Sequence, residues 1–148
     1  MKIITEILFL MVLYILAVVD FRRQIVPDWG PALIAVLALV RLAAGILTPA
    51  ASATGLMLLG GTVFLLAVLT GGIGGGDVKL LGTCGAFLGL LPGADFFLLS
   101  FFLSGVFAAG LKILPVFIEK PTLSRIREIP IVPFAALAAT LIFLQNRL

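Results

Sequence analysis

Two aspartates in an otherwise apolar chain have the residue type and the setting for acid–base chemistry. Asp20 ends the uninterrupted apolar run FLMVLYILAVV, and Asp77 follows the glycine-rich segment LTGGIGGG at the start of another apolar stretch. Acids that border membrane-spanning segments are costly against lipid and usually face a protein interior or a hydrated cavity. For each aspartate alone a structural role is the alternative: an ion pair of Asp20 with Arg22 or Arg23, and a helix N-cap at Asp77.

The chemistry that fits these two acids is hydrolysis by a pair of carboxyl groups. The chain has no histidine and a single cysteine, Cys84, so the usual His/Cys metal sites and Ser-His-Asp or Cys-His catalysis are excluded. Two carboxyl groups in close contact cannot both ionise, and such a pair shares one proton. The sequence therefore suggests an aspartyl hydrolase that uses no metal ion and no organic cofactor.

The composition is that of an integral membrane protein. Of 148 residues, 62% are hydrophobic and 11% are charged, whereas a soluble domain carries about 25% charged residues. The net charge of +3 is explained by basic residues that anchor cytoplasmic loops. Membrane lipid is therefore the expected surrounding, nucleic acid is not an expected partner, and residues 1–148 are expected to form a single membrane-embedded domain.

Six apolar stretches, separated by turn signals, predict the elements that must position the two acids. The expected fold is all-α, a polytopic membrane helix bundle of about six transmembrane helices. The turn before the fifth stretch is placed at Pro92-Gly93. The six stretches are residues 3–19, 31–47, 51–70, 78–91, 96–118 and 130–144.

Basic residues orient this predicted bundle. They gather after the first, third and fifth stretches, whereas the other side holds only Lys2 and Arg147. The positive-inside rule then places the protein in the cytoplasmic (inner) membrane with both termini outside. Because two complete spans separate Asp20 from Asp77, both acids are expected at the same membrane face, the cytoplasmic one.

The remaining charged side chains are expected to have ordinary roles. Glu6, Asp95, Glu119 and Glu128 lie near predicted helix ends or in loops, where solvated acids need no special function. Arg41 lies within a predicted span, and its side chain either reaches outward to the membrane surface or faces the interior.

The fourth stretch is short for a membrane span. About 14 residues give about 21 Å of helix, and the hydrocarbon core of a bilayer is about 30 Å thick. Local thinning of the bilayer is one explanation. The other is a helix that begins below the membrane surface, preceded by glycines that allow tight turns and close backbone contacts. We therefore expect Gly74, Gly75 and Gly76 to shape a recessed, hydrated pocket around Asp77.

Three segments of the chain resemble motifs of one family, the type IV prepilin peptidases. GGIGGGDVKLLG resembles the family's Gly-x-Gly-Asp signature, VVDFRRQIVPDWG its first-aspartate segment, and EIPIVPFAALAA the opening of its last helix. The three segments occur in the family's order. The matching residues are Asp20, Val26 and Pro27 in the first-aspartate segment, Gly74, Gly75, Gly76, Asp77 and Lys79 in the signature, and Pro130, Pro133 and Phe134 in the last.

This resemblance implies a membrane aspartyl endopeptidase with Asp20 and Asp77 as its catalytic pair. Its partners would be pilin-like precursors, from which it would remove a short basic leader at the cytoplasmic face. The chain lacks the Cys-x-x-Cys domain of the larger family members, so methyltransferase activity is not expected. Its size resembles the short members that serve tight-adherence (Flp-type) pili, with archaeal relatives as the alternative. Asp28 departs from the family, which usually has asparagine there.

Several roles remain open at this level. Lys79 either lowers the pKa of a neighbouring carboxyl group or anchors its helix at the membrane surface. Pro133 and Phe134 either shape a substrate cleft or simply start a helix. Asp28 is a candidate contact for a basic leader or merely balances nearby arginines. A small proton- or cation-coupled transporter is the alternative function, and a non-catalytic assembly subunit is a third.

Overall fold

A computed structural model describes residues 1–23, 25–71, 73–117 and 131–145, with the backbone alone for 111–117. All regular structure in these ranges is helical, which confirms the predicted all-α helical bundle. The helices are α1 (Lys2–Arg23), α2 (Trp29–Ala43), α3 (Pro49–Thr70), α4 (Gly75–Leu88), α5 (Leu90–Phe117) and α6 (Val132–Gln145).

Three of these helices are long and apolar enough to cross a membrane: α1, α3 and the Leu90–Gly110 part of α5. The helices α2 and α6 are apolar but shorter. Large apolar side chains such as Ile4, Met11 and Phe64 are exposed on the outside of the bundle. Side chains of this kind on the surface are stable against lipid and costly against water, which agrees with the composition of a membrane protein.

The helix α4 lies against three others, α2, α3 and α5, and its most extensive contact is with α3. Its Phe87 stacks on Phe9 of α1 with ring centroids 4.2 Å apart, and Phe143 of α6 meets Phe9 edge-on at 5.9 Å. Helices α1, α4 and α6 are therefore joined by one aromatic cluster in the core.

Small residues allow α3 and α4 to pack backbone against backbone. A side chain on Gly55 would overlap the carbonyl oxygen of Gly85, and one on Gly85 would overlap that of Gly55. Close to this crossing, the hydroxyl of Ser52 donates to the carbonyl of Ala86 at 2.8 Å. Close approach of this kind is how helices associate in membranes, where no hydrophobic force drives them together.

The boundary between the fourth and fifth helices differs from the expected one. The turn was expected at Pro92-Gly93, but the chain turns at Gly89, which has φ 84° and ends α4. Pro92 instead lies in the first turn of α5, where a missing N–H costs no intrahelical hydrogen bond.

The expectation that Glu6 is a solvated acid is wrong. Its side chain is 7% exposed, and its negative charge acts on Arg41, which is equally buried at the end of α2. The Arg41 guanidinium lies 4.4 Å from the centre of the Phe87 ring and donates through Nη1 to the Phe87 carbonyl at 3.2 Å. Arg41 therefore faces the interior, where a buried acid requires a nearby cation.

Candidate active site

Asp20 lies three residues before the end of α1 and points into the bundle. Its side chain is 5% exposed, and its Oδ2 accepts a hydrogen bond from the backbone N–H of Val132 at 3.3 Å. Val132 is the first residue of α6. The acid that ends the first apolar run is thus held by the start of the last helix.

Asp77 lies in the first turn of α4 and is half-buried. The helix begins immediately after Gly74, so Gly75 and Gly76 are helical instead of forming a loop. The turn between α3 and α4 begins at Gly71, whose left-handed conformation (φ 63°) ends α3. The helix α4 has 14 residues, the predicted length, but it spans Gly75–Leu88 where residues 78–91 were predicted. The depth of its start in the bilayer stays a prediction.

Gly76 brings the two acid-bearing segments together. A Cβ atom at this position would lie 3.0 Å from both the Cβ and the carbonyl oxygen of Val26. Val26 belongs to the connection between α1 and α2, six residues after Asp20, and Gly76 directly precedes Asp77. The absence of a side chain at Gly76 therefore allows the connection after Asp20 to lie against the start of α4.

A second contact joins the same two segments. Lys79 Nζ donates to Asp28 Oδ1 at 2.8 Å, and both side chains are largely exposed, at 61% and 78%. Asp28 precedes α2 at its N-cap position, yet its side chain makes no capping hydrogen bond there. The sequence did not identify Asp28 as the carboxyl partner of Lys79.

We expect the Lys79–Asp28 pair to add little stability. In a double-mutant cycle of Lys79→Met and Asp28→Asn, thermal unfolding in detergent should give a coupling energy of about 0.2–1 kcal/mol, as for other solvated pairs. Added salt should reduce this coupling further because it screens exposed charges. A coupling well above this range that persists in high salt would contradict a solvated pair.

The prolines and Phe134 have structural roles in the described part of the chain. The carbonyl of Pro27 accepts from the N–H of Gly30 at 3.1 Å, which closes the turn before α2. Pro133 is the second residue of α6, and the Phe134 ring packs on Phe107 of α5 with centroids 5.2 Å apart. Their part in a substrate cleft stays a prediction, and Pro130 lies outside the described residues.

Three elements thus converge at this end of the bundle: the end of α1, the start of α4 and the start of α6. Sequence reasoning missed the backbone N–H of Val132, since a backbone donor leaves no mark in residue type. The only signal was its place at a helix start, where N–H groups lack intrahelical acceptors. Within the described ranges, no group of three or more acidic or cysteine side chains is arranged to hold a metal ion.

Comparison with protein families adds a finding that covers both aspartates. The model of the type IV leader peptidase family matches residues 7–109, which is most of the chain. The chain belongs to the type IV leader peptidase family. Comparison with curated proteins and with solved structures gives no match.

Membership of the leader peptidase family makes this helical membrane protein a peptidase of prepilin-type substrates. The family match includes most of α1, all of α2 to α4 and most of α5, so Asp20, Asp77 and the Gly76–Val26 contact all fall within it. The start of α6, which donates to Asp20, lies beyond residue 109.

Proposed function

We propose that the chain is an aspartic-type endopeptidase that removes the basic leader from type IV pilin-like precursors, with Asp20 and Asp77 as its catalytic pair. The proposal places the protein in the inner membrane as a single domain of residues 1–148, with its site at the cytoplasmic face, both termini outside and no methyltransferase activity. The observation that carries it is the Gly76–Val26 contact, which packs the segment after Asp20 against the helix start that bears Asp77.

The proposed reaction requires one proton on the pair. The ionised carboxylate takes a proton from water as the water oxygen attacks the scissile carbonyl carbon. The protonated carboxyl group hydrogen-bonds the carbonyl oxygen and stabilises the negative charge that develops on it. The tetrahedral intermediate then collapses, the C–N bond breaks, and the leaving nitrogen receives a proton from the pair. The products are a carboxylic acid and an amine.

The burial of the site supports this chemistry. Asp20 is almost wholly buried and Asp77 is half-buried, so in the proposed pair Asp77 is the member more open to water and substrate. Carboxyl groups in such a setting share a proton more strongly than in bulk water because the effective dielectric constant is lower. The rate of cleavage should therefore follow a bell-shaped curve against pH, and its two limbs should report the titration of the pair as a whole.

Co-expression with precursors is the direct test. Each candidate precursor should carry a short basic leader followed by an apolar helix, and its size shift should be followed in membranes, with the product's new N-terminus sequenced. The wild-type chain should release the leader. The doubly substituted chain Asp20→Asn/Asp77→Asn is the negative control and should leave the precursor intact.

The same material tests the transporter alternative. Purified protein in vesicles should cleave a precursor without any ion gradient across the membrane. If instead it moves protons or cations and leaves every precursor intact, the transporter interpretation replaces the peptidase one.

A further inference from the structure

We propose that the first backbone N–H of α6, that of Val132, is a positioning group for Asp20: it fixes the carboxylate at the active site and stabilises its charged form. The inference rests on the proposed function, because it requires Asp20 to be catalytic. It assigns a task to α6, which follows the residues matched by the family model. It adds a backbone donor, and with it α6, to a site built from two side chains.

The geometry of the α6 start makes Val132 the available donor. Pro133 has no N–H, and the N–H groups of Phe134 and Ala135 both donate to the carbonyl of Ile131, at 3.1 and 3.0 Å. Of residues 132 to 135, Val132 is therefore the one whose N–H is directed to Asp20, at 3.3 Å. Proline at the second position leaves this donor without a competitor in the same turn.

Burial makes this hydrogen bond matter. Val132 is fully buried and Asp20 nearly so, so bulk water cannot easily replace the donor. A hydrogen bond to a carboxylate stabilises the charged form, and the positive end of a helix dipole acts in the same direction. Desolvation opposes both by favouring the neutral acid.

The other charges near Asp20 can be assigned element by element. Helix α6 carries no ionisable side chain within Val132–Gln145, and the only one in α2 is Arg41, at the opposite end of that helix. The ionisable groups at the Asp20 end are those of its own helix and of the adjoining connection and α4. Among the residues that the structure describes, they are Arg22, Arg23, Asp28, Asp77 and Lys79.

Lys79 donates to Asp28. The Val132 N–H donates to Asp20, and a hydrogen bond of this kind favours the carboxylate form of the acid. In a pair that shares one proton, this contact favours the singly ionised form of the pair, and the carboxylate of that form takes the proton from water.

An amide-to-ester replacement at residue 132 tests this role. Nonsense suppression with the α-hydroxy analogue of valine keeps the side chain and replaces the N–H by oxygen. We expect cleavage (kcat) to fall about 10–100-fold, the range for a hydrogen bond to a charged group. The acidic limb of the pH–rate profile should also move to higher pH, because the carboxylate has lost a donor that stabilised its charge.

The same ester change at Ala135 is the matched control. The Ala135 N–H lies in the same helical turn but donates to the Ile131 carbonyl, so its loss weakens α6 without touching Asp20. This control should retain the wild-type pH–rate profile. Equal kcat and equal profiles for the 132 and 135 esters would overturn the proposal.

A variant pair made by ordinary mutagenesis keeps the test usable if the ester chains fold poorly. Val132→Pro also removes the N–H, and proline is tolerated in the first turn of a helix; Val132→Ala keeps the N–H. Only Val132→Pro should move the acidic limb. If Asp20→Asn still cleaves, the proposed function itself fails; if cleavage needs Asp20 but ignores the Val132 N–H, only this inference fails.

Discussion

Replacing Asp77 or Asp20 by asparagine is expected to lower the rate of leader cleavage by about 10²–10⁴-fold, the usual contribution of a general acid or base. Asparagine keeps the size and polarity of the side chain but neither accepts a proton from water nor donates an acidic one. Because the proposed mechanism uses the two acids as one pair, the double variant should be little worse than either single variant. Quantitative cleavage of a purified precursor in detergent measures all three rates.

Asp28→Asn is the matched control for this experiment. Asp28 is an aspartate at the same end of the bundle, but it is largely exposed and bonded to Lys79, so its loss should leave kcat close to that of wild type. Loss of a contact between Asp28 and the basic leader would change KM instead. Expression and thermal stability should be similar for all variants. Full cleavage by Asp77→Asn, or an equal loss in Asp28→Asn, would argue against the aspartate pair.

Replacing Gly85 by alanine is expected to destabilise the protein by about 3 kcal/mol, at the upper end of the cost of overpacking. The added Cβ would overlap the carbonyl oxygen of Gly55, and neither backbone can yield unless α3 and α4 separate. Since α4 also carries Asp77, cleavage should fall with stability. Thermal unfolding of the purified protein and the yield of monodisperse material measure the effect.

Gly61→Ala controls for the change from glycine to alanine in a helix of the same pair. Gly61 is an exposed residue of α3, and a Cβ there meets nothing within 4 Å. Alanine should therefore be neutral or stabilising by up to about 1 kcal/mol, from its better helix propensity. If Gly85→Ala were as well tolerated as Gly61→Ala, the close α3–α4 crossing would be wrong.

The sequence predicted the helices well because the signals that define them are local. Uninterrupted apolar runs mark helices that can cross a bilayer, and Gly or Pro between them marks the turns. The exceptions are the two ends of α4: the helix already includes Gly75 and Gly76, and it ends before Gly89. Gly89, Pro92 and Gly93 are all turn-type residues, and only the backbone shows that Gly89 takes the turn while Pro92 fits the first turn of a helix.

Glu6 shows why side-chain roles are harder to predict than helices. Its position near the start of α1 suggested a solvated acid, yet it is buried where its charge acts on Arg41, which follows it by 35 positions in the chain. The hydropathy of either segment alone does not reveal that both charged side chains are buried. Burial of a charge depends on what another helix presents to it.

By itself the sequence determined the all-helical membrane fold and singled out Asp20 and Asp77, because hydropathy runs and glycine-rich turns act over a few residues. Tertiary structure alone decided the contacts at this end of the bundle: the Val132 N–H at Asp20, Val26 against Gly76, and Asp28 on Lys79. Such contacts join residues 50 or more positions apart, as the Lys79–Asp28 separation of 51 shows. They exist only once helix packing has fixed the position and direction of each backbone, which no local pattern records.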